Sequence, residues 1–304
     1  MKKIYLTCIA LLCTAYSFAQ GCSDAGFCSL SVLKNNITDS ANHTLSFGLN
    51  YGVGKEQTNI TNAYVEYGTK INSRLSFQSK LTATYATGFL GSAFDIGDIY
   101  GTLNYSFKTK ANYSINIIGG VKVPLTSGNH KNKDGKPLPL DYQASISTYD
   151  AIGGINYIVN HSWEFDAGIQ VPVIQVNKST YFPDEYSDPR AKEFAPTNNF
   201  KRKSDILGRI GYYIQFSASN ITLKPSLLGI YHLGTDTYED RFGQITAITG
   251  SDGFTLNGSI VGTKKFNNGN SLEVLVATPF IVRKVRPDGL TRVGVINLQY
   301  TIAF

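Results

Sequence analysis

Gly294-Val295-Ile296-Asn297-Leu298-Gln299-Tyr300-Thr301-Ile302-Ala303-Phe304 closes the chain and sets the reading of what precedes it. On an extended backbone Ile296, Leu298, Tyr300, Ile302 and Phe304 share one side, and Asn297, Gln299, Thr301 and Ala303 share the other. A period of two marks a strand with one apolar and one polar face. A soluble two-sheet sandwich could end on such a strand, so the rest of the chain must decide between soluble and membrane-spanning forms.

The alternation recurs from His43 onward in eleven further segments. In Thr44 to Val53, Leu45, Phe47, Leu49, Tyr51 and Val53 oppose Thr44, Ser46, Gly48, Asn50 and Gly52. The others run over about 60–71, 74–86, 97–107, 112–125, 143–159, 162–177, 204–216, 221–234, 253–266 and 271–283, and the terminal strand over about 291–304. Most hold roughly eleven to seventeen residues, enough to cross a bilayer at a tilt of about 45°. Globular strands are typically about half that long. The connections alternate too. Asn72-Ser73, Lys108 to Ala111, Asn160-His161, Ser217 to Asn220 and Asn267 to Asn270 are tight. Gly54 to Asn59, Thr87 to Ile96, Thr126 to Tyr142, Lys178 to Lys203, Thr235 to Asp252 and Lys284 to Leu290 are mostly longer and more polar. Short turns on one rim and long loops on the other predict an all-β chain, a transmembrane antiparallel up-and-down β-barrel of twelve strands with its short turns periplasmic and its long loops extracellular.

Lys2 and Lys3 precede a largely apolar run that ends Ser17-Phe18-Ala19, the pattern of a signal peptide over 1–19. No other run approaches eighteen apolar residues, so any membrane crossing falls to strands. The formal charge of +6 is too mild to imply nucleic acid. Few charges, 19 Tyr, 17 Phe, 29 Gly and one Met suit a β chain with aromatic belts. Beyond the leader the cysteines are Cys22 and Cys28, which read as a short disulfide ring in an oxidising periplasm. A lipid anchor on Cys22 is the main alternative, and a metal or redox role the other. Residues 20–42 have too little apolar content to fold alone; they either hang in the periplasm or tuck into the barrel of 43–304 as a hatch.

Outward aromatics are expected in two girdles at the membrane boundaries. Tyr67, Phe107, Tyr113, Tyr157, Trp163, Phe216, Phe266 and Phe304 lie near the short turns, and Tyr51, Tyr85, Tyr149, Tyr231, Phe254 and Phe280 near the long loops. The opposite parity carries the charge: Glu66, Lys70, Lys80, Asp98, Lys122, Asp150, Glu164, Asp166, Asp205, Arg209, Lys224, His232, Glu273 and Arg283. An Arg or Lys facing lipid costs about 2–4 kcal/mol at mid-bilayer, so these side chains are expected to line the lumen. They form either an ion-pair network that fills a narrow barrel or the wall of a wet conduit. Strands about 4.8 Å apart and tilted about 40° give a radius of about 12 Å and a bore of at most about 10 Å. That excludes folded cargo.

A last strand that stops on Phe304 resembles the C-terminal assembly signal of bacterial outer-membrane barrels, which implies the barrel assembly machinery as a partner. Ile96-Gly97-Asp98-Ile99, followed by Tyr105-Ser106-Phe107, resembles the "GxGD…Y-x-F" strand of a barrel family associated with meta-pathway phenol degradation and loosely akin to the FadL fatty-acid transporters. Gly120-Val121-Lys122-Val123-Pro124-Leu125-Thr126-Ser127-Gly128 is similar to that family's "G-x-K-x-P-T-G" strand end. Tyr149-Asp150 to Tyr157 with Trp163 to Gln170 is similar to its central hairpin, and Ser204-Asp205 to Tyr212 to a later one. The resemblance implies a channel for small, often hydrophobic compounds. Pro124, Pro172, Pro225 and Pro279 interrupt alternate strands, where proline deletes a ladder bond and favours a bulge. They either set curvature or open the wall sideways to an apolar substrate.

The expected function is an outer-membrane channel or transporter for small solutes, hydrophobic ones included. Its partners would be membrane lipid, lipopolysaccharide and the solute, with no cofactor or metal. One alternative is a structural or adhesive barrel acting through Thr126 to Tyr142 and Lys178 to Lys203. Lys131, Lys133, Lys136, Arg190, Lys192, Lys201, Arg202 and Lys203 there read as solvated, or as bridging lipopolysaccharide phosphates. A lipid-modifying enzyme would need His232, with Asp236 close by, to find a serine. The chain is not expected to be an enzyme.

Overall fold

The computed structural model describes residues 42–110, 112–288 and 294–304. The leader, Cys22, Cys28 and the hatch segment as far as residue 41 lie outside the described residues. The strands are β1 (His43–Val53), β2 (Asn59–Lys70), β3 (Leu75–Gly88), β4 (Gly91–Lys110), β5 (Tyr113–Pro124), β6 (Thr148–Val159), β7 (Trp163–Gln175), β8 (Asp205–Tyr212), β9 (Ile214–Phe216), β10 (Ile221–His232), β11 (Thr237–Glu239), β12 (Ile245–Ala247), β13 (Gly253–Lys265), β14 (Ser271–Ile281) and β15 (Gly294–Ala303). β8 and β9 are one strand interrupted at Tyr213, and β11–β12 is a small separate hairpin. The rest pair antiparallel with their sequence neighbours, and β15 pairs with β1 from Thr44↔Ala303 to Val53↔Gly294. The result is a closed twelve-stranded barrel. Reciprocal backbone bonds of 3.0 Å between His43 and Phe304 finish the seam.

Burial runs opposite to that of a soluble protein. Asn297, Gln299 and Thr301 are less than a tenth exposed, whereas Ile296 and Leu298 are about half exposed. β8 alternates buried and exposed without a break. The exposed parity is a belt of Phe47, Leu49, Ile117, Ile155, Leu227, Ile260 and their equivalents, and the girdle aromatics stand outward at its edges. Trp163 packs edge-on against Tyr212 at 4.8 Å between ring centres on the short-turn rim.

Several boundaries differ from expectation, among them Lys108 to Lys110, which prolong β4 up to Lys110↔Tyr113 instead of forming the turn. Thr87 to Ile96 is not a loop: β3 and β4 stay paired up to Gly88↔Gly91. The alternation breaks there because a bulge between Leu81 and Ala83 shifts the phase. Residues 143–147 do not extend β6; they leave the wall. Arg283 lies beyond the end of β14, in the loop that follows.

The largest correction concerns the long loops. Thr126 to Tyr142 and Lys178 to Lys203 are not solvated fringes; with 233–252 they fold into a cap with its own core. Leu138 and Tyr142 pack with Tyr181, Ala191 and Phe194, and with Ile60, Ala86, Leu90 and Ala93 from the barrel's outer end. Leu140, Ile146, Phe200 and Ile248 form a second cluster. Full burial of one large apolar side chain stabilises by about 1.5–3 kcal/mol, so these clusters hold the cap as a folded unit.

Candidate functional site

Of the residues expected inside the barrel, Glu66, Lys80, Asp98, Lys122, Asp150, Glu164, Asp166, Asp205, Arg209, Lys224, His232 and Arg283 are buried. Lys70 and Glu273 are half-buried, the latter accepting from Thr263 Oγ1 at 3.2 Å. Over β4–β10 they fall into layers.

The outer layer lies just below the cap. Lys122 Nζ is 3.1 Å from Asp150 Oδ2 and 3.8 Å from Asp98 Oδ2, and donates to Thr148 Oγ1 at 2.9 Å. Gln170 Nε2 donates to Asp150. Asp205, opposite Gln170 across β7–β8, pairs with Arg202 and lies 2.6 Å from His232 Nδ1. The other ring nitrogen of His232 lies 2.7 Å from Asp236 Oδ1. No nitrogen is left for a serine hydroxyl, so His232 does not build the triad that the enzyme alternative needs. Arg283 Nη2 reaches Asp288 Oδ2 at 2.8 Å. Burial opposes ionisation of Asp288, but Arg283, Arg202 and Arg286 outweigh it and hold its carboxyl below the usual range. For Asp236 burial prevails over the His232 contact, and its carboxyl is pushed up.

One inward position further along each strand the polarity switches. Tyr100 follows Asp98, Ile152 follows Asp150, Leu207 follows Asp205 and Ile230 adjoins His232; with Ile118 and Leu228 they pack into one buried cluster. Below it charge returns. Arg209 Nη2 lies 2.5 Å from Asp166, Lys224 Nζ 2.7 Å from Glu164, and Asn156 Nδ2 donates to Asp166 at 2.7 Å. The opposite wall is polar: Tyr64 OH lies 2.8 Å from Gln299 Oε1, and Lys80 Nζ sits 3.8 Å above the Tyr64 ring. Every buried charge named here has a partner of opposite sign or an aromatic face, which low-dielectric burial demands.

Of the residues that carried the family resemblance, Asp98, Lys122, Asp150, Gln170 and Asp205 converge in the outer layer, whereas Tyr105, Phe107, Tyr157 and Trp163 face outward near the short turns. Ser145 Oγ donates to Asp98 Oδ1 at 2.5 Å. A Cβ on Gly97 would lie 2.8 Å from the Ala144 carbonyl oxygen, so the glycine admits the loop backbone against the wall. Pro137 to Thr148 are buried without a break. Parity could find Asp98, Lys122 and Asp150. It missed Arg202, Asp236 and Asp288: Arg202 is buried between exposed Lys201 and Lys203, in a basic run that reads as surface.

The prolines occupy different kinds of site. Pro172 and Pro279 lie at register shifts, and Pro124 ends β5. Pro225 faces the gap between β8 and β9, where pairing with β10 lapses between Gly211↔Ser226 and Ile214↔Leu223. Outside this point lies an apolar groove of about 510 Å³ between Trp163, Tyr212, Leu227, Ile260 and Phe280, with Gly211, Ser226, Gly258 and Ser259 also lining it.

Among solved structures the chain is similar to the COG4313 outer membrane channel from Pseudomonas putida F1, with a TM-score of 0.60 and 12% identity over 89% of this chain and 99% of that one. The fold is an outer-membrane barrel. Its apolar belt and aromatic girdles place it in the bacterial outer membrane. The translocator domain of the autotransporter NalP from Neisseria meningitidis aligns at 0.49 and 8% identity, over 91% of this chain and 93% of that one. The KdgM porin aligns at 0.43 and 9%, over 86% and 99%. No protein-family model and no curated protein matches the sequence.

Proposed function

We propose that this barrel is an outer-membrane channel for small solutes that carry a substantial apolar part. The observation that supports it most is the apolar cluster of Tyr100, Ile118, Ile152, Leu207, Leu228 and Ile230 between two charged layers. A barrel needing only rigidity would be served by ion pairs throughout. An apolar constriction excludes hydrated ions by dewetting and lets an apolar molecule exchange one greasy contact for another. The likeness of the "GxGD" and "G-x-K-x-P" segments to the phenol-degradation barrels points to the same solute class. The groove beside Pro225 offers a sideways exit into the membrane, with Pro124, Pro172 and Pro279 as alternatives. Lipopolysaccharide, through exposed Lys131, Lys133, Arg190 and Lys192, is the surrounding partner, and the assembly machinery reads Phe304. A Cys22–Cys28 disulfide belongs to the same proposal, with residues 20–42 either a periplasmic segment or a lumen hatch.

The test is permeation into vesicles carrying the purified chain, with small aromatic compounds against sugars and inorganic ions of similar size. The aromatic compounds should enter faster than in empty vesicles, with ions lagging; equal entry of all three classes would reject the reading. Phe242, 88% exposed at the tip of the β11–β12 hairpin, favours adhesion as a second reading. That reading expects cell-surface binding to be lost in Phe242→Ser with permeation unchanged.

A further inference from the structure

Ser147 has a φ of +60°, in the left-handed region that residues other than glycine seldom occupy. Its side chain is wholly buried, and Oγ donates to the Thr126 carbonyl at 2.7 Å. This residue makes the kink. β6 starts on the wall at Thr148, whereas Gln143 to Ile146 turn away and lie buried at the outer layer. There Ser145 is bonded to Asp98, and the Ala144 carbonyl rests against Gly97.

The same five residues also suit a second seat. Gln143, Ser145 and Ser147 alternate with Ala144 and Ile146; on the phase of β6, which buries Thr148, Asp150 and Ile152, an extended leg would turn the polar three outward beyond the Tyr149 girdle and Ala144 and Ile146 inward under the cap. The chain beyond β7 already flanks them: Val176 N donates to the Ser147 carbonyl at 2.9 Å, and Asn177 Nδ2 to the Ile146 carbonyl at 3.1 Å. Returning Ser147 to an extended φ would remove the kink and its strain. Asp98 would keep Lys122 nearby, so leaving the lumen seat strands no charge; what it costs is the packing of Ile146 with Leu140, Phe200 and Ile248 and the bonds of Gln143 to His130 and Leu138.

We propose that Gln143–Ser147 is a gate leg that swings about Ser147, between the lumen seat latched by Asp98 and a wall seat in which it prolongs β6 beside Val176 and Asn177. The lumen seat shuts the outer mouth and the wall seat clears it. The proposal rests on the channel reading and names the moving part.

The test uses the full chain reconstituted in vesicles, with Cys22 and Cys28 replaced by serine. Ser147→Gly and Ser147→Val both lose the hydroxyl, but glycine accepts a positive φ and valine resists it. Permeation of a small aromatic alcohol should be about tenfold faster through the valine variant than through the glycine variant. In a second variant, Ser145→Cys with Asp98→Cys, a disulfide should form in the folded barrel, oxidation should bring entry down to that of empty vesicles, and a reductant should restore it. Should the valine variant fail to fold as a heat-modifiable barrel, the cysteine pair decides. Equal rates in the glycine and valine variants, equal rates oxidised and reduced, or no disulfide in a folded barrel would overturn the gate while the channel stands. No entry through any variant would overturn both.

Discussion

Asp141 shows how far one residue's setting departs from what its neighbours in sequence suggest. It lies in Leu140–Tyr142, a short turn of the cap in which all three residues are buried. Burial lifts its carboxyl to about 7, with Lys55 pulling the other way. The unfolded chain releases that proton near 3.8, whereas the folded cap holds it to about 7. Between those values the folded state binds more protons, so the cap loses stability as pH rises. Asp288 has the opposite sign: its lowered value stabilises above the ordinary carboxylate range, and that contribution is lost on acidification. Hydrogen exchange of the cap amides, corrected for intrinsic rates, should therefore quicken from about pH 4 to 7. Asp141→Asn, neutral throughout, should remove the Asp141 share of that slope and leave the share of Asp236, whose carboxyl burial also pushes up; an unchanged slope would assign all of it elsewhere. Such a role was not legible beforehand. Parity exposes an inward charge on a strand, as with Asp98 and Lys122, because lipid penalises the other choice. In a loop no medium enforces a period, and Asp141 and Arg202 look like ordinary surface charges.

Strands follow a similar logic. Their number and inward faces could be read because each must satisfy lipid on one side and neighbours on both edges. Their ends were harder to place. β4 gains an outer stretch through Ala93 and its partner Ala86, which bury under the cap rather than in the bilayer. Gln143 to Ser147 alternate like a strand and yet leave the wall. Both turn on tertiary contacts that no local pattern encodes. The prolines were visible, but each context came from pairing register. Pro225 is the most consequential, since a barrel strand has no free edge on which to hide a missing donor. Pro225→Val should return a donor at the β8–β9 interruption and stabilise the barrel by about 0.5–1.5 kcal/mol, seen as a higher unfolding midpoint in detergent. If the groove beside it is the solute's exit, aromatic uptake should fall in parallel. A rise in stability with no change in uptake would leave Pro225 a shaping residue only.

For the whole molecule the decisive property is inversion, with polar atoms buried within and apolar ones presented without. Water would not hold such an object in solution, because the exposed patch circles the barrel and far exceeds the few hundred Å² that soluble monomers usually show. Inversion also makes the outer face sensitive to depth, which distinguishes lipid from any protein partner. Leu298 lies midway along β15 and Tyr51 near the loop end of β1, and both stand outward, 48% and 46% exposed. In contact with water the two sites would tolerate a charge equally. In a bilayer Leu298→Arg should cost about 2–4 kcal/mol, while Tyr51→Arg should cost about 0–1 kcal/mol for the charge because the guanidinium reaches the headgroups. Reversible unfolding from lipid vesicles in denaturant measures both, and the difference between them is the informative quantity. Equal costs would mean that the belt does not meet hydrocarbon, and the proposed channel would then have no membrane to cross.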